Sequence, residues 1–228
     1  IVNGLKELHI DMAQVEGIFI SHEHSDHIAG LQQLLKRFDI PVYTKQGTWR
    51  EIQDKLVVPK NQLIELTKGS LTLGNLIVEP FAVSHDAADP IGINVFSGKD
   101  KATVVTDTGI ISDDILHRID DSTLLVLEAN YDPHMLRFGP YQPFLKQRVA
   151  SDEGHLSNEM AAQALLMMKR PDFMQVILAH RSENNNNAVL VTQTIGKMLV
   201  DGGVRIGPEM KLQHGQPNEI VSMQSIKR

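Results

Sequence analysis

Ser21-His22-Glu23-His24-Ser25-Asp26-His27 is the stretch on which the reading of this chain turns. It follows an apolar run, Gly17-Ile18-Phe19-Ile20, that reads as a short buried strand. It precedes residues 28–38, where apolar side chains at 28, 31, 34, 35 and 38 carry helical spacing. His22, His24, Asp26 and His27 place four metal-capable side chains within six residues. Residues two apart at a strand end point the same way, so His22 and His24 can reach one ion together. Asp26 and His27 then turn away with the loop, toward a neighbouring ion. The bland alternative is a solvated His-rich loop. Against it, the end of a strand is where α/β proteins put their ligand-binding groups.

Three more apolar runs stop at a side chain of the same kind. One ends at Val83-Ser84-His85, one at Val104-Val105-Thr106-Asp107, one at Ile177-Leu178-Ala179-His180. Gly109 follows Asp107 and reads as the pivot of a tight turn. A lone His after a strand is ordinarily a hydrogen-bonded structural residue, but four such ends in one chain point to a shared site. His9, His117, His134 and His214 have no such context and read as surface or packing residues.

Between these ends the chain alternates strand and helix patterns. Strand patterns occupy residues 41–44, 71–73, 76–83, 91–96, 102–106, 122–128 and 173–178, with a last candidate at 204–210. Helix patterns occupy 49–56, 112–119, 141–150, 157–169 and 188–199, with Ser112 as a plausible N-cap. Strands mixed with helices imply a layered α/β architecture, without choosing among such folds. With 228 residues, no internal repeat and no Pro/Gly/Ser-rich linker, residues 1–228 read as one domain. The Asn run at 184–187 reads as a polar loop.

Composition narrows the chemistry. The absence of cysteine excludes disulfides and thiolate metal sites, so any metal must sit among imidazoles and carboxylates, and a reducing cytoplasm is the expected compartment. No apolar run approaches membrane-spanning length, and no targeting peptide is visible. A net charge of −6 argues against a broad grip on nucleic acid and leaves contact to a local patch. Arg137, Lys146 and Arg148, interleaved with Phe138, Tyr141 and Phe144, form such a patch, able to meet phosphates and stack a base. An ordinary amphipathic helix with solvated cations is the competing reading. The oligomeric state is not legible.

The ordered motifs H-x-H-x-D-H, His, Asp, His resemble those of the metallo-β-lactamase superfamily, over most of the chain. Within it the chain resembles the YycJ (WalJ) group. That likeness is carried by residues 20–30, by Ser84-His85-Asp86-Ala87-Ala88-Asp89-Pro90, by Glu128-Ala129-Asn130-Tyr131-Asp132, by Arg137-Phe138-Gly139-Pro140-Tyr141 with Leu145-Lys146-Gln147-Arg148, by Gly154-His155-Leu156-Ser157-Asn158, and by residues 180–185. The resemblance implies an αββα sandwich of two mixed β-sheets flanked by helices. It implies that His22, His24 and His85 hold a first metal, that Asp26, His27 and His180 hold a second, and that Asp107 bridges them. The group usually carries Leu after the last His, where this chain has Arg181. The superfamily also opens with a strand pair before its first motif. Only 21 residues precede His22, and no such pair is visible, so missing N-terminal strands are expected.

Two ions about 3.5–4 Å apart hold a bridging water and bring its pKa toward about 7, giving a hydroxide nucleophile at neutral pH. An all-His/Asp shell suits Zn²⁺ or Mn²⁺. On the resemblance, the reaction is phosphodiester hydrolysis and the activity a 5′ to 3′ exonuclease on DNA. Asp26 is first a ligand and second a candidate proton acceptor. His155, just before a helix N-terminus, is a candidate for binding phosphate or protonating the leaving oxygen. Ser182, Asn184, Arg137 and Arg148 are candidate substrate contacts. The alternative keeps fold and metals and hydrolyses a small ester, thioester or lactone. Flavin-coupled diiron chemistry fits poorly, since those members carry Glu where His24 stands. A metal-bound scaffold without activity fits poorly too, since all seven ligand positions are filled.

Overall fold

In the computed structural model, which describes residues 1–67, 69–217 and 219–221, the apolar runs become strands of two separate sheets. In chain order the elements are α1 (Val2–Glu7), β1 (Ile18–Phe19), α2 (Ser25–Ile28), α3 (Leu31–Leu35), β2 (Val42–Thr44), α4 (Gln46–Lys55), β3 (Leu63–Glu65), β4 (Leu71–Leu73), β5 (Leu76–Ala82), β6 (Ile91–Ser97), β7 (Asp100–Val105), α5 (Asp113–Ile119), β8 (Leu124–Glu128), α6 (Pro133–Phe138), α7 (Pro143–Val149), α8 (Asn158–Met167), β9 (Met174–Ala179), α9 (Ala188–Asp201) and β10 (Met210–His214). The smaller sheet, β1-β2-β3, is parallel throughout. The larger sheet runs β10-β9-β8-β7-β6-β5-β4 and is mixed: parallel from β10 to β7, antiparallel from β7 to β4.

Burial divides the molecule into four layers. Ile28 and Leu31 of the α2–α3 region and Trp49 and Ile52 of α4 pack with Val42 of β2 on one side of the small sheet. On its other side Tyr43 of β2 meets Ile91 of β6, with Phe19, Leu71 and Leu73 around them, so the sheets face each other. The outer face of the large sheet carries Leu125 and Leu127 of β8 and Val176 of β9, all fully buried against Ala161 and Leu165 of α8 and Ile195 and Leu199 of α9. Each such side chain contributes about 1.5–3 kcal/mol when removed from water. The order helix, sheet, sheet, helix is the αββα arrangement.

The topology gathers strand ends. β7, β8 and β9 are parallel, with Val105 opposite Leu127 and Glu128 opposite Ala179. β5 is antiparallel to β6 and β6 to β7, so β5 also runs with β7. The C-terminal ends of β5, β7, β8 and β9 therefore open on one edge. The end of β1 joins them where Ile91 N donates to Ser21 O at 3.1 Å.

Three expectations need correction. The helix over 28–38 starts earlier, at Ser25, and is divided at Ala29–Gly30 into α2 and α3. The last strand is residues 210–214 rather than 204–210, because Gly202, Gly203 and Gly207 make the earlier stretch a run of turns with positive φ at Gly203 and Gly207. Gly109 has no positive φ. A Cβ there would lie 2.3 Å from the Asp152 carbonyl and the Ser151 oxygen, so glycine admits a close backbone approach instead.

Candidate metal centre

His22 and His24 stand just past β1, in the loop that enters α2. Their rings meet edge to face with centroids 4.6 Å apart. His85 follows β5 and lies 4.9 Å from His22 and 5.0 Å from His24, ring to ring. His85 Nδ1 lies 3.0 Å from the Gly154 carbonyl, which can only accept, so Nδ1 carries the proton and Nε2 is bare. That bare nitrogen sits 3.3 Å from His24 Nδ1. Two imidazole nitrogens at this distance need a proton or a cation between them.

Asp107 follows β7 in the left-handed region, at φ +56°, and His180 follows β9 at φ +50°. Neither is glycine, and such backbone strain concentrates at functional sites. Asp107 is 2% exposed. Its Oδ1 lies 3.4 Å from His180 Nε2 and 3.8 Å from His85 Nε2, and its Oδ2 lies 3.4 Å from His27 Nε2. Asp26, more exposed, has Oδ2 3.5 Å from His27 Nε2 and 3.6 Å from His180 Nε2.

All seven ligand positions named from the sequence thus converge on one cluster, and donor atoms fall into overlapping groups: His22, His24 and His85; His22, His27 and Asp107; Asp26, His27 and His180. Within each group the atoms lie within 4.8 Å of one another. Two buried atoms of the cluster, His22 Nε2 and Asp107 Oδ2, have no hydrogen-bond partner among the described residues, although Asp107 Oδ2 lies at ion-pair distance from His27 Nε2. Buried polar atoms left unpaired are costly. Imidazole and carboxylate donors closing on a nitrogen and a carboxylate oxygen that lack hydrogen bonds fit a divalent cation.

The carboxylate that organises one flank was not among the candidates read from the sequence. Glu128, the last residue of β8, is fully buried. His155 and His180 each donate Nδ1–H to its Oε1, both at 2.8 Å. Its Oε2 accepts from Thr108 N at 3.1 Å and Leu156 N at 3.2 Å. Both rings are thereby fixed in orientation through Nδ1. The signal was present: an acidic residue closes the apolar run Leu124-Leu125-Val126-Leu127, the pattern that singled out Asp107. Burial pushes the Glu128 pKa up, but hydrogen bonds from His155 and His180 outweigh it and bring it down to about 2. Burial lowers that of His180, but Asp26 and Glu128 hold it up at about 10. His22 has no such partner, and burial followed by repulsion from His27 and His85 drives it down to about 2. The His180 hydrogen bond keeps the Asp26 carboxyl well below its usual range.

Two cavities open from the cluster. One of about 470 Å³ is lined by His24, Ser25, Asp26, Lys55, Asp107, Arg148, His155 and His180. The other, about 890 Å³, shares His155, His180 and Arg148 and continues past Arg181, Ser182 and Asn184. His155 therefore faces the site rather than an anion at the start of α8; that helix start is capped by Ser157 Oγ, which accepts from Met160 N at 3.2 Å. Arg148 stands between the cavities in a bidentate pair with Asp86. Arg137 lines neither cavity. Lys55, at the end of α4, was missed; its Nζ donates to the Glu23 carbonyl at 3.2 Å and adds a cation to the cleft.

The family model described as a β-lactamase superfamily domain matches residues 4–180. The exodeoxyribonuclease YycJ of Bacillus anthracis is 34% identical over 97% of this chain and 84% of its own length. The exodeoxyribonuclease WalJ of Streptococcus pneumoniae is 30% identical over 99% of this chain and 86% of its own length. The chain belongs to the metallo-β-lactamase superfamily, in its YycJ/WalJ group. Among solved structures, the metallo-β-lactamase fold protein YhfI of Bacillus subtilis superimposes with a TM-score of 0.64 at 16% identity, covering 86% of this chain and 74% of that one. Members of this superfamily of metal-dependent hydrolases provide the frame for the cluster. Among the described residues no helix is long and apolar enough to cross a membrane.

Proposed function

We propose that this YycJ/WalJ-group protein is a dinuclear metal-dependent phosphodiesterase that shortens DNA from a 5′ end. The observation that carries the reading is the convergence of the seven donors on one cluster in which His22 Nε2 and Asp107 Oδ2 have no hydrogen-bond partner among the described residues. His22, His24 and His85 would hold one ion, Asp26, His27 and His180 the other, and Asp107 both. Zn²⁺ and Mn²⁺ suit this donor set. When bound, the ions supply an activated water and neutralise charge on the phosphate.

The chain's own residues do the rest. Glu128 fixes the rings of His155 and His180. With its Nδ1–H held by Glu128, His155 would protonate the leaving oxygen from Nε2 when the ring carries a second proton, and Glu128 would stabilise that imidazolium. Lys55 and Arg148 flank the cleft, and Lys55, whose Nζ bonds only a backbone carbonyl among the described residues, would attract a phosphate. Ser182 and Asn184 line the larger cavity, where the end of a strand would lie. The cysteine-free composition suits a reducing cytoplasm.

The test is elemental analysis of the purified protein beside Mn²⁺-supplemented cleavage of 5′-labelled duplex and single-stranded DNA. Near two metals per chain, with mononucleotide release that is lost in Asp26→Ala, is the expected result. Two metals with turnover of thioesters or lactones and none of DNA would overturn the nuclease reading and keep the metal centre.

A further inference from the structure

Two phenylalanines project from the surface beside the cleft. Phe138, at the end of α6, is 67% exposed, and Phe144, in the first turn of α7, is 70% exposed. Their helices are otherwise well seated, with Leu136 and Val149 buried against Tyr131. The rings are therefore not left out by poor packing. Residues 133–150 carry Arg137, Lys146 and Arg148 and no Asp or Glu, in a chain of net charge −6.

The cations are placed around the rings. The Arg137 guanidinium lies 5.3 Å from the centre of the Phe138 ring. Lys146 Nζ donates to the Arg137 carbonyl at 2.8 Å, tying α7 to the end of α6. Phe144 and Arg148 are four residues apart on α7, hence one turn apart on one face. Arg148 lines the metal cleft, so α7 carries the patch to the edge of the site. Arg148 is itself paired with Asp86, whereas Arg137 and Lys146 form no ion pair among the described residues.

We propose that α6 and α7 form the landing surface for single-stranded nucleic acid, with Phe144 and then Phe138 stacking successive bases of the strand that enters the metal cleft and Arg137 and Lys146 meeting its phosphates. This rests on the nuclease reading. A purely apolar patch would suit a protein partner. Solvated rings interleaved with cations and no acid match a ligand that alternates planar bases with negative phosphates. Stacking on Phe reads no particular base, so the surface takes any sequence.

The experiment measures kcat and KM on a single-stranded oligonucleotide and turnover of bis(p-nitrophenyl) phosphate, for the wild type, Phe144→Ala and Phe138→Ala/Phe144→Ala, with sedimentation of each. The expected result is a KM for the oligonucleotide raised about tenfold or more by Phe144→Ala and further by the double variant. Turnover of the small ester stays unchanged, which shows that the fold and metal centre are intact. Arg137→Ala lowers the salt dependence of KM by about one ion. An unchanged oligonucleotide KM in the double variant, in an enzyme that degrades DNA, would overturn this surface and leave the nuclease reading standing. A wild-type dimer that dissociates in the double variant, with KM unchanged, would assign the patch to protein contact instead. A wild type that turns over the small ester but no DNA would sink the nuclease reading and this surface with it.

Discussion

The two flanks of the cluster use the same side chain to opposite electrostatic ends. On one, His22, His24 and His85 pack imidazole against imidazole, and His22 is driven down to about 2. On the other, His180 sits between Asp26 and Glu128 and is held up near 10. His22 is the more deeply buried of the two. Burial lowers both, but on His22 the neighbouring imidazoles add to it, whereas on His180 the carboxylates of Asp26 and Glu128 overcome it. On the first flank, burial keeps His22 and His85 below the usual imidazole range in advance of any ion. The second is a charged network that an ion must enter by displacing a proton.

Asp107 joins the flanks, and its removal should have the largest effect. Its Oδ1 faces His85 and His180, one from each side. Asp107→Asn keeps shape and removes the charge. Turnover of any phosphodiester should fall by more than the ~10–100-fold typical of outer partners of a metal site, and metal content should drop. An Asp107→Asn protein with full metal content and activity would remove the bridge from the proposal.

Glu128→Gln strikes one flank alone. It leaves His155 and His180 without their anionic acceptor while leaving His22, His24 and His85 untouched. Metal affinity should weaken about 10–100-fold for the ion on the His180 side. Elemental analysis after dialysis against a weak chelator should then find the variant near half-loaded. Equal loss of both ions would break the comparison.

Gly109→Ala should affect both flanks together. The new Cβ would press on the backbone of Ser151 and Asp152. That loop receives Ser84 Oγ at Asp152 O and continues to Gly154, whose carbonyl holds His85, and to His155. Overpacking of this kind costs about 1–3 kcal/mol. Thermal unfolding should show the loss, and metal affinity should decline on both sides rather than one.

The sequence exposed this division unevenly. Strand ends carrying His or Asp after apolar runs were legible, because a short apolar run that stops at a ligand-type residue is a local signal. Glu128 obeyed the same rule but was quoted only within a stretch of family likeness, so its role became visible only when β8 was seen between β7 and β9. Lys55 gave no local signal; it reaches the cleft from a helix more than fifty residues away from Asp107 in sequence. Short elements were lost for similar reasons. β3 has only three residues and depends on its pairing with β2. β10, Met210-Lys211-Leu212-Gln213-His214, alternates polar residues along an edge strand and was displaced onto the glycine-rich turn before it. For α6 a usable signal did exist, Asp132 as N-cap followed by Pro133, and Asp132 Oδ1 does accept from Met135 N at 2.8 Å.

The finest test of the two flanks is a count of protons. In the ion-free protein His180, at about 10, is charged across the neutral range, whereas His22, at about 2, is not. An ion bound by His180 Nε2 must expel that proton, so apparent affinity for the ion should rise about tenfold per pH unit through neutrality and level off near pH 10. The His22 side should contribute no such slope. Folding of the ion-free protein follows the same groups. The His180 contribution, from a pKa raised above 6.5, is complete below pH 6.5 and is lost as pH climbs toward 10. The Glu128 contribution, from a pKa lowered below 4.5, is complete above pH 4.5 and is lost as pH falls toward 2. Calorimetric titration of Zn²⁺ into chelator-stripped protein at pH 7.5, in two buffers of different ionisation heat, reads the proton directly. About one proton should leave per chain on filling the His180 side, and fewer in Glu128→Gln, where the charge that retains it is gone. No proton release in the wild type would mean that His180 is already bare, and the contrast between the flanks would collapse.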